Sequence, residues 1–121
     1  MSTEEIRKVI DNLMSFDKHI KAVIIATVDG LEYLTVGDVD GESLSAISAV
    51  IFAATQTAGD RSGMGMPSQV IIRFESGYFF IKKISGDLVL CVVSSAERPP
   101  GHVFLAEIEM LEENILRIMG A

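Results

Sequence analysis

Cysteine, histidine and positive charge are all scarce in this chain. Cys91 is the one cysteine, and His19 and His102 are the only histidines among 121 residues. No internal disulfide can form, which fits a reducing, cytoplasmic setting. Lys and Arg total 10 against 17 Asp and Glu, for a formal charge of -7. That balance argues against nucleic acid, whose phosphate backbone calls for clustered Lys and Arg. No apolar stretch approaches the ~20 residues of a membrane span, so membrane insertion is not expected. The opening Met1-Ser2-Thr3-Glu4-Glu5 is acidic and polar, whereas a secretory signal starts basic and turns apolar. Internal repeats and low-complexity tracts are missing, and so is the phosphate-cradling G-x-x-x-x-G-K-[ST] motif.

Hydrophobic residues, by contrast, make up 49% of the sequence, ample for a core without disulfides or metals. The length fits a single domain spanning residues 1–121. Ser2 to Glu5 fits a capping box. Ile6, Val9, Ile10, Leu13 and Met14 then recur at helical spacing, giving a first helix that ends near Ser15. Ile20 to Val28 reads as a strand with both faces apolar, which belongs in the middle of a sheet. Asp29-Gly30 turns the chain into a second strand, Leu31 to Val36. Asp40 can cap a helix from Gly41 to Ala58, with Gly59 as its terminator. Residues 60–67 form a loop. Gln69 to Phe74, Tyr78 to Ile84 and Leu88 to Val93 follow as strands joined by short turns, the last again apolar on both faces. A final helix starts near His102, with Phe104, Ile108, Leu111, Ile115 and Ile118 as its apolar stripe.

The order is α-β-β-α-β-β-β-α, an α/β (α+β) arrangement. Short turns within each strand group make the five-stranded sheet antiparallel. Two central strands buried on both faces need helices on both sides, which gives a three-layer sandwich.

The middle helix is unusual. From Ser43 to Ala58 it carries no charged side chain. At about 100° per residue, Leu44, Ile47, Ile51, Ala54 and Ala58 share the side expected to face the sheet. Ala46, Ala49, Val50, Ala53 and Thr57 share the other, with Phe52 at the flank beside Ser45 and Ser48. A surface helix usually places charge on its outer face, where charge aids solubility. Alanines and hydroxyls there predict a helix packed on two sides, the outer one against a second copy of itself. Val50 and Phe52 would supply most of the buried area.

Catalytic constellations are absent. Gly63-Met64-Gly65 has no lysine after it and reads as a flexible connector. Asp38, Asp40 and Glu42 lack calcium-loop spacing and read as turn and cap. Cys91 lies among Val89, Leu90, Val92 and Val93, which predicts a buried, inert thiol. His102 reads as a local cap or surface group, and Arg61 as a solvated loop charge. Neither a catalytic residue nor a cofactor nor a metal is expected.

The run Ala22-Val23-Ile24-Ile25-Ala26-Thr27-Val28-Asp29-Gly30-Leu31 resembles the first hairpin of the Roadblock family. That family includes dynein light chains and MglB-like regulators of small GTPases. The acidic loop Asp38-Val39-Asp40, the small-residue start Leu44-Ser45-Ala46 and the closing strand Leu88 to Val93 also fit. The resemblance covers nearly the whole chain. It implies the middle helix on one sheet face and the terminal helices on the other. It further implies a homodimer or a dimer with a paralogue, joined through the middle helix and third strand, so Val70 and Ile72 join the expected interface. The implied role is a non-catalytic regulator or scaffold for a small Ras-like GTPase. Alternatives are a structural adaptor of a motor or signalling complex that ignores nucleotide state, or a small-molecule sensor. One departure stands out: many bacterial members carry Asn-x-Gly-x-x-Arg at the start of the last helix, whereas this chain has Phe104 in the place of Arg.

Overall fold

The computed structural model describes residues 2–98 and 100–120. Three helices and five strands follow in the expected order: α1 Ser2–Phe16, β1 Ile20–Thr27, β2 Glu32–Gly37, α2 Gly41–Ser62, β3 Val70–Phe74, β4 Gly77–Lys83, β5 Leu88–Ser94 and α3 His102–Ile118. The side chain of Ser2, and with it the expected capping box, lies outside the described residues, as does Pro99 in the loop before α3. The sheet order is β2-β1-β5-β4-β3, with every neighbouring pair antiparallel. The strands expected to be central, β1 and β5, both lie inside the sheet, as does β4, and they pair Val23 with Val92 and Ile25 with Leu90.

Alternation along these strands divides the core into two layers. Val23, Ile25, Phe80, Leu90 and Val92 point to one face, where Ile6 and Ile10 of α1 and Phe104, Ile108, Leu111 and Ile115 of α3 cover them. Ile24, Ile81, Val89 and Cys91 point to the other, under Phe52 of α2. The three-layer sandwich is therefore present, with α2 alone on its face. Phe104 sits in the thicker layer. Its ring makes edge contacts with Tyr78 at 5.8 Å and Phe80 at 5.4 Å between centroids. An aromatic ring that plugs this gap explains why no arginine stands there: a guanidinium would be buried without a partner.

Two glycines fix tight passages. Gly77 has φ +145°, and a Cβ there would fall 2.0 Å from the Ser94 carbonyl oxygen. Gly63, at φ +76°, closes α2. Gly59 was the expected terminator, but the helix runs through it for another turn. Capping bonds explain the longer helix: the Gly63 amide donates to the Asp60 carbonyl and the Met64 amide to that of Gly59, a left-handed glycine cap. At the other end Asp40 accepts from the Ser43 amide at 3.1 Å and the Ser43 hydroxyl at 2.8 Å, as a cap should. Among the described residues, no helix is long and apolar enough to cross a membrane.

Candidate interaction surface

The face that α2 turns to the sheet differs from the expected one. Ser45, Ser48, Ala49 and Phe52 are buried, whereas Ile47 is 47% exposed and Ala54 and Ala58 lie at the surface. The helix is rotated about a third of a turn from the orientation that places the Leu/Ile stripe inside. Close approach is the physical reason. Small side chains bring the α2 backbone down onto the β1–β2 turn, where a Cβ on Gly30 would meet the Ala46 Cα at 3.3 Å. Phe52 then fills the space over Ile24, Ile81, Val89 and Cys91. Leu44 and Ile51 are left half-buried at the flank, against the same layer.

This rotation corrects part of the expected interface. Ala49 and Phe52 belong to the chain's own core and are not available to a partner. Ala46, Val50, Ala53 and Thr57 do face outward, and Val50 is 68% exposed. Ile47 and Ala54, assigned to the core by periodicity, join them. The outward stripe is thus more apolar than the sequence wheel suggests.

The second half of α2 stands off from the body. From Ala53 to Ser62 no residue is buried, and only Thr55, Gln56 and Gly59 are half-covered. The cover comes from the following loop, whose Gly65 amide donates to the Gly59 carbonyl and whose Met66 sulfur accepts from the Gln56 amide. Thr55 and Thr57 return their hydroxyls to the carbonyls of Ile51 and Ala53, so those polar atoms are satisfied within the helix. An isolated helix of this length is marginal in water. Met64 and Met66 are also exposed.

Beside this helix lies β3, one of the two edge strands of the sheet. Among the described residues no helix lies squarely over it. Val70 and Ile72 are half-buried on the α2 side, as partial extensions of that core layer. Phe74 continues the same alternation and is 49% exposed, while Ile71 is exposed on the opposite face. The strand VIIRF has no Pro or Lys and offers an unpaired row of amides and carbonyls, which natural proteins rarely leave open. Phe74 escaped the sequence reading because it ends the strand, although its parity with Val70 and Ile72 places it on the same face.

Chemistry adds little here. Among the described residues no three His, Cys, Asp or Glu side chains are grouped to hold a metal. Cys91 is buried, and desolvation pushes its thiol up to about 11. His19 and His102 are at the surface. Asp40 is occupied as a cap, which holds its carboxyl below the usual range through bonds from Ser43. Arg61 lies exposed in the last turn of α2.

Comparison with known proteins agrees with this architecture. Residues 7–94 match the family model described as the Roadblock/LC7 domain. A Roadblock/LC7 domain from Streptomyces avermitilis superposes with a TM-score of 0.84 at 18% identity, covering 95% of this chain and 98% of that one. MglB of Myxococcus xanthus gives 0.84 at 18% identity, with 98% and 90% covered. The gliding protein MglB of Thermus thermophilus gives 0.83 at 15%, with 97% and 90% covered. No curated protein sequence matches.

Proposed function

Because the chain belongs to the Roadblock/LC7 family, we propose that it is a non-catalytic dimeric regulator or scaffold whose paired α2 helices form a docking platform for a small Ras-like GTPase. The observation that carries this reading is the bare side of the molecule. The charge-free outer stripe of α2, its unsupported second half and the open β3 edge adjoin one another. A second copy, or a paralogue, covers all three at once.

The energetics favour such a partner. Burying Ile47 and Val50 contributes up to roughly 1.5–3 kcal/mol for each side chain. A twofold axis repeats every contact. Pairing β3 with its counterpart satisfies the open edge and carries the sheet across the dimer. Side by side, two α2 helices form a rigid surface backed by a continuous sheet. The GTPase as partner comes from the family resemblance, and the cytoplasm is where such a partner is met.

Light scattering at micromolar concentration tests the first half: a monomeric mass sinks the dimer. The second half needs a pull-down of Ras-like GTPases from the native source in both nucleotide states. Binding that prefers one state, or that changes hydrolysis or exchange, supports a regulator. Equal binding to both with no kinetic effect favours a plain adaptor, and no binding to any rejects the GTPase.

A further inference from the structure

The opposite face carries a second unfilled apolar feature. α1 and α3 lie side by side over the sheet. Asp17, just beyond the end of α1, stands beside Glu107 in the second turn of α3, so the two helices run antiparallel. Between them opens a groove of about 380 Å³ lined chiefly by Val9, Leu13 and Phe16 of α1 and Met110 and Leu111 of α3. Leu111 is core, but Phe16 is 81% exposed and Met110 64%. Large apolar side chains held this far into water, on both walls of one groove, are unusual for a surface that stays bare. Methionine and phenylalanine are also side chains that adapt to and anchor partner helices. The α2–β3 dimer leaves this groove open, because it lies on the other side of the sheet.

Charge selects among occupants. α1 and α3 together carry seven acidic and three basic side chains. Lys82 and Glu112 make the one ion pair among the described residues, at 2.6 Å. Glu107, which lines the groove, and Asp17 therefore have no cation within salt-bridge distance. Partial burial and the neighbouring Asp17 raise the Glu107 carboxyl above its usual range, which agrees with two acids held close together. A second copy of this face would bring acid against acid. An anionic membrane would be repelled in the same way.

We infer that the α1–α3 groove is a docking site for a basic amphipathic helix of a partner protein. Its apolar side chains at helical spacing would seat between Phe16 and Met110, and its Lys or Arg residues would meet the acidic rim at Glu107 and Asp17. Two parallel ridges form a valley that accepts a third helix at ordinary interhelical spacing. This site is independent of the α2 platform and stands or falls without it.

The test uses the full chain and two fluorescein-labelled 18-residue helical peptides. Both carry leucines at i, i+3/i+4 and i+7; one is flanked by lysines, the other by glutamates. Anisotropy should show saturable binding of the lysine peptide, weakening as salt is raised, and none of the glutamate peptide. Amide shifts should centre on α1 and α3. Met110→Lys, at an exposed position where folding is little affected, should weaken binding about tenfold or more. Glu107→Gln should weaken it by a smaller factor and flatten the salt dependence. The inference is overturned by equal binding of both peptides, by no saturable binding, or by shifts centred on α2 or β3. It is also overturned if Met110→Lys leaves the affinity unchanged, if that variant alters the protein's own mass in solution, or if vesicles of phosphatidylserine bind the groove.

Discussion

The Phe74 ring of β3 meets the Phe79 ring of β4 with centroids 4.8 Å apart and planes tilted by 58°. Both point to the α2 side of the sheet, yet Phe74 is half in water. The apolar layer beneath α2 therefore continues past the helix and ends in an open ring on the bare strand. An aromatic pair of this geometry contributes about 0.5–1.5 kcal/mol beyond its burial. Phe74→Ser should lower stability by about 1–2 kcal/mol in urea unfolding. It should also raise the dimer dissociation constant by about tenfold in sedimentation equilibrium. A dimer of unchanged affinity would place Phe74 outside the interface.

Ser45 and Ser48 are buried against the sheet, and neither hydroxyl has a hydrogen-bond partner of good geometry among the described residues. Ser48 does lie against the Cys91 thiol, a weak partner at best. A buried unpaired hydroxyl costs roughly 1–3 kcal/mol. Alanine fits the same space and favours the helix. Ser45→Ala should therefore stabilise the chain by about 1 kcal/mol, measured as a higher denaturation midpoint at unchanged slope. Ser48→Ala should gain less, since it gives up its contact with sulfur. A loss of stability from Ser45→Ala would mean that this hydroxyl has a partner after all, such as a buried water.

The Cys91 thiol, raised to about 11 by burial, is protonated at neutral pH and closed to reagents. Iodoacetamide should label it only as fast as the chain unfolds. The raised value also fixes a sign. The folded state holds this proton more tightly than the unfolded chain, so the associated stability is whole below the ordinary thiol range and declines as pH climbs toward 11. The wild-type chain should lose more stability between about pH 9 and 11 than Cys91→Ala does. Parallel pH profiles for the two would contradict the assignment.

Element order and strand placement were readable because each rests on a strong local signal. The doubly apolar runs of β1 and β5 put them at the centre, Asp29-Gly30 turned the first hairpin, and Asp40 capped α2. The rotation of α2 was not readable. A hydrophobic wheel assumes that the greasiest stripe is the buried one, and on α2, where small residues face the sheet, that assumption fails. Ser45, Ser48 and Ala49 face the sheet because they are small enough for close approach, a property periodicity does not weigh. Periodicity places Ile47 inward with Leu44 and Ile51, whereas in the fold it is 47% exposed. Gly59 reads as a stop for a related reason, whereas in the fold its missing side chain lets Gly65 pass close over the helix. The α1–α3 groove had no sequence signature, since Phe16 and Met110 come from opposite ends of the chain.

The Asp40 carboxylate, held below its usual range by the Ser43 amide and hydroxyl, gives a test in acid. Its folded value is depressed, so the cap's contribution is complete above the ordinary carboxylate range and fades as pH falls through the lowered value. Asp40→Asn keeps a capping oxygen without the charge. The variant should match the wild type more closely at low pH than at neutral pH in thermal melts. A difference that stays constant across this range would show that the charge itself contributes nothing.

Ile47 and Val50 settle whether the outer stripe of α2 serves a partner or is merely tolerated by solvent. Neither is buried in the folded chain, so a charge at either position leaves the core intact. Surface changes of this kind usually alter stability by no more than about 0.5 kcal/mol. In a twofold dimer the same change places two like charges in a low-dielectric seam, where each is costly to desolvate. Val50→Glu and Ile47→Glu should therefore give folded chains with native circular dichroism. Their dimer dissociation constants should rise by about a hundredfold or more. If the dimer's folded state depends on association, melting will also become more dependent on concentration. Binding to the GTPase should fall together with dimerisation, because the platform needs both helices. A dimeric Val50→Glu variant would disprove the α2 seam. A monomeric variant that still binds the GTPase at full affinity would leave the seam standing and remove the shared platform.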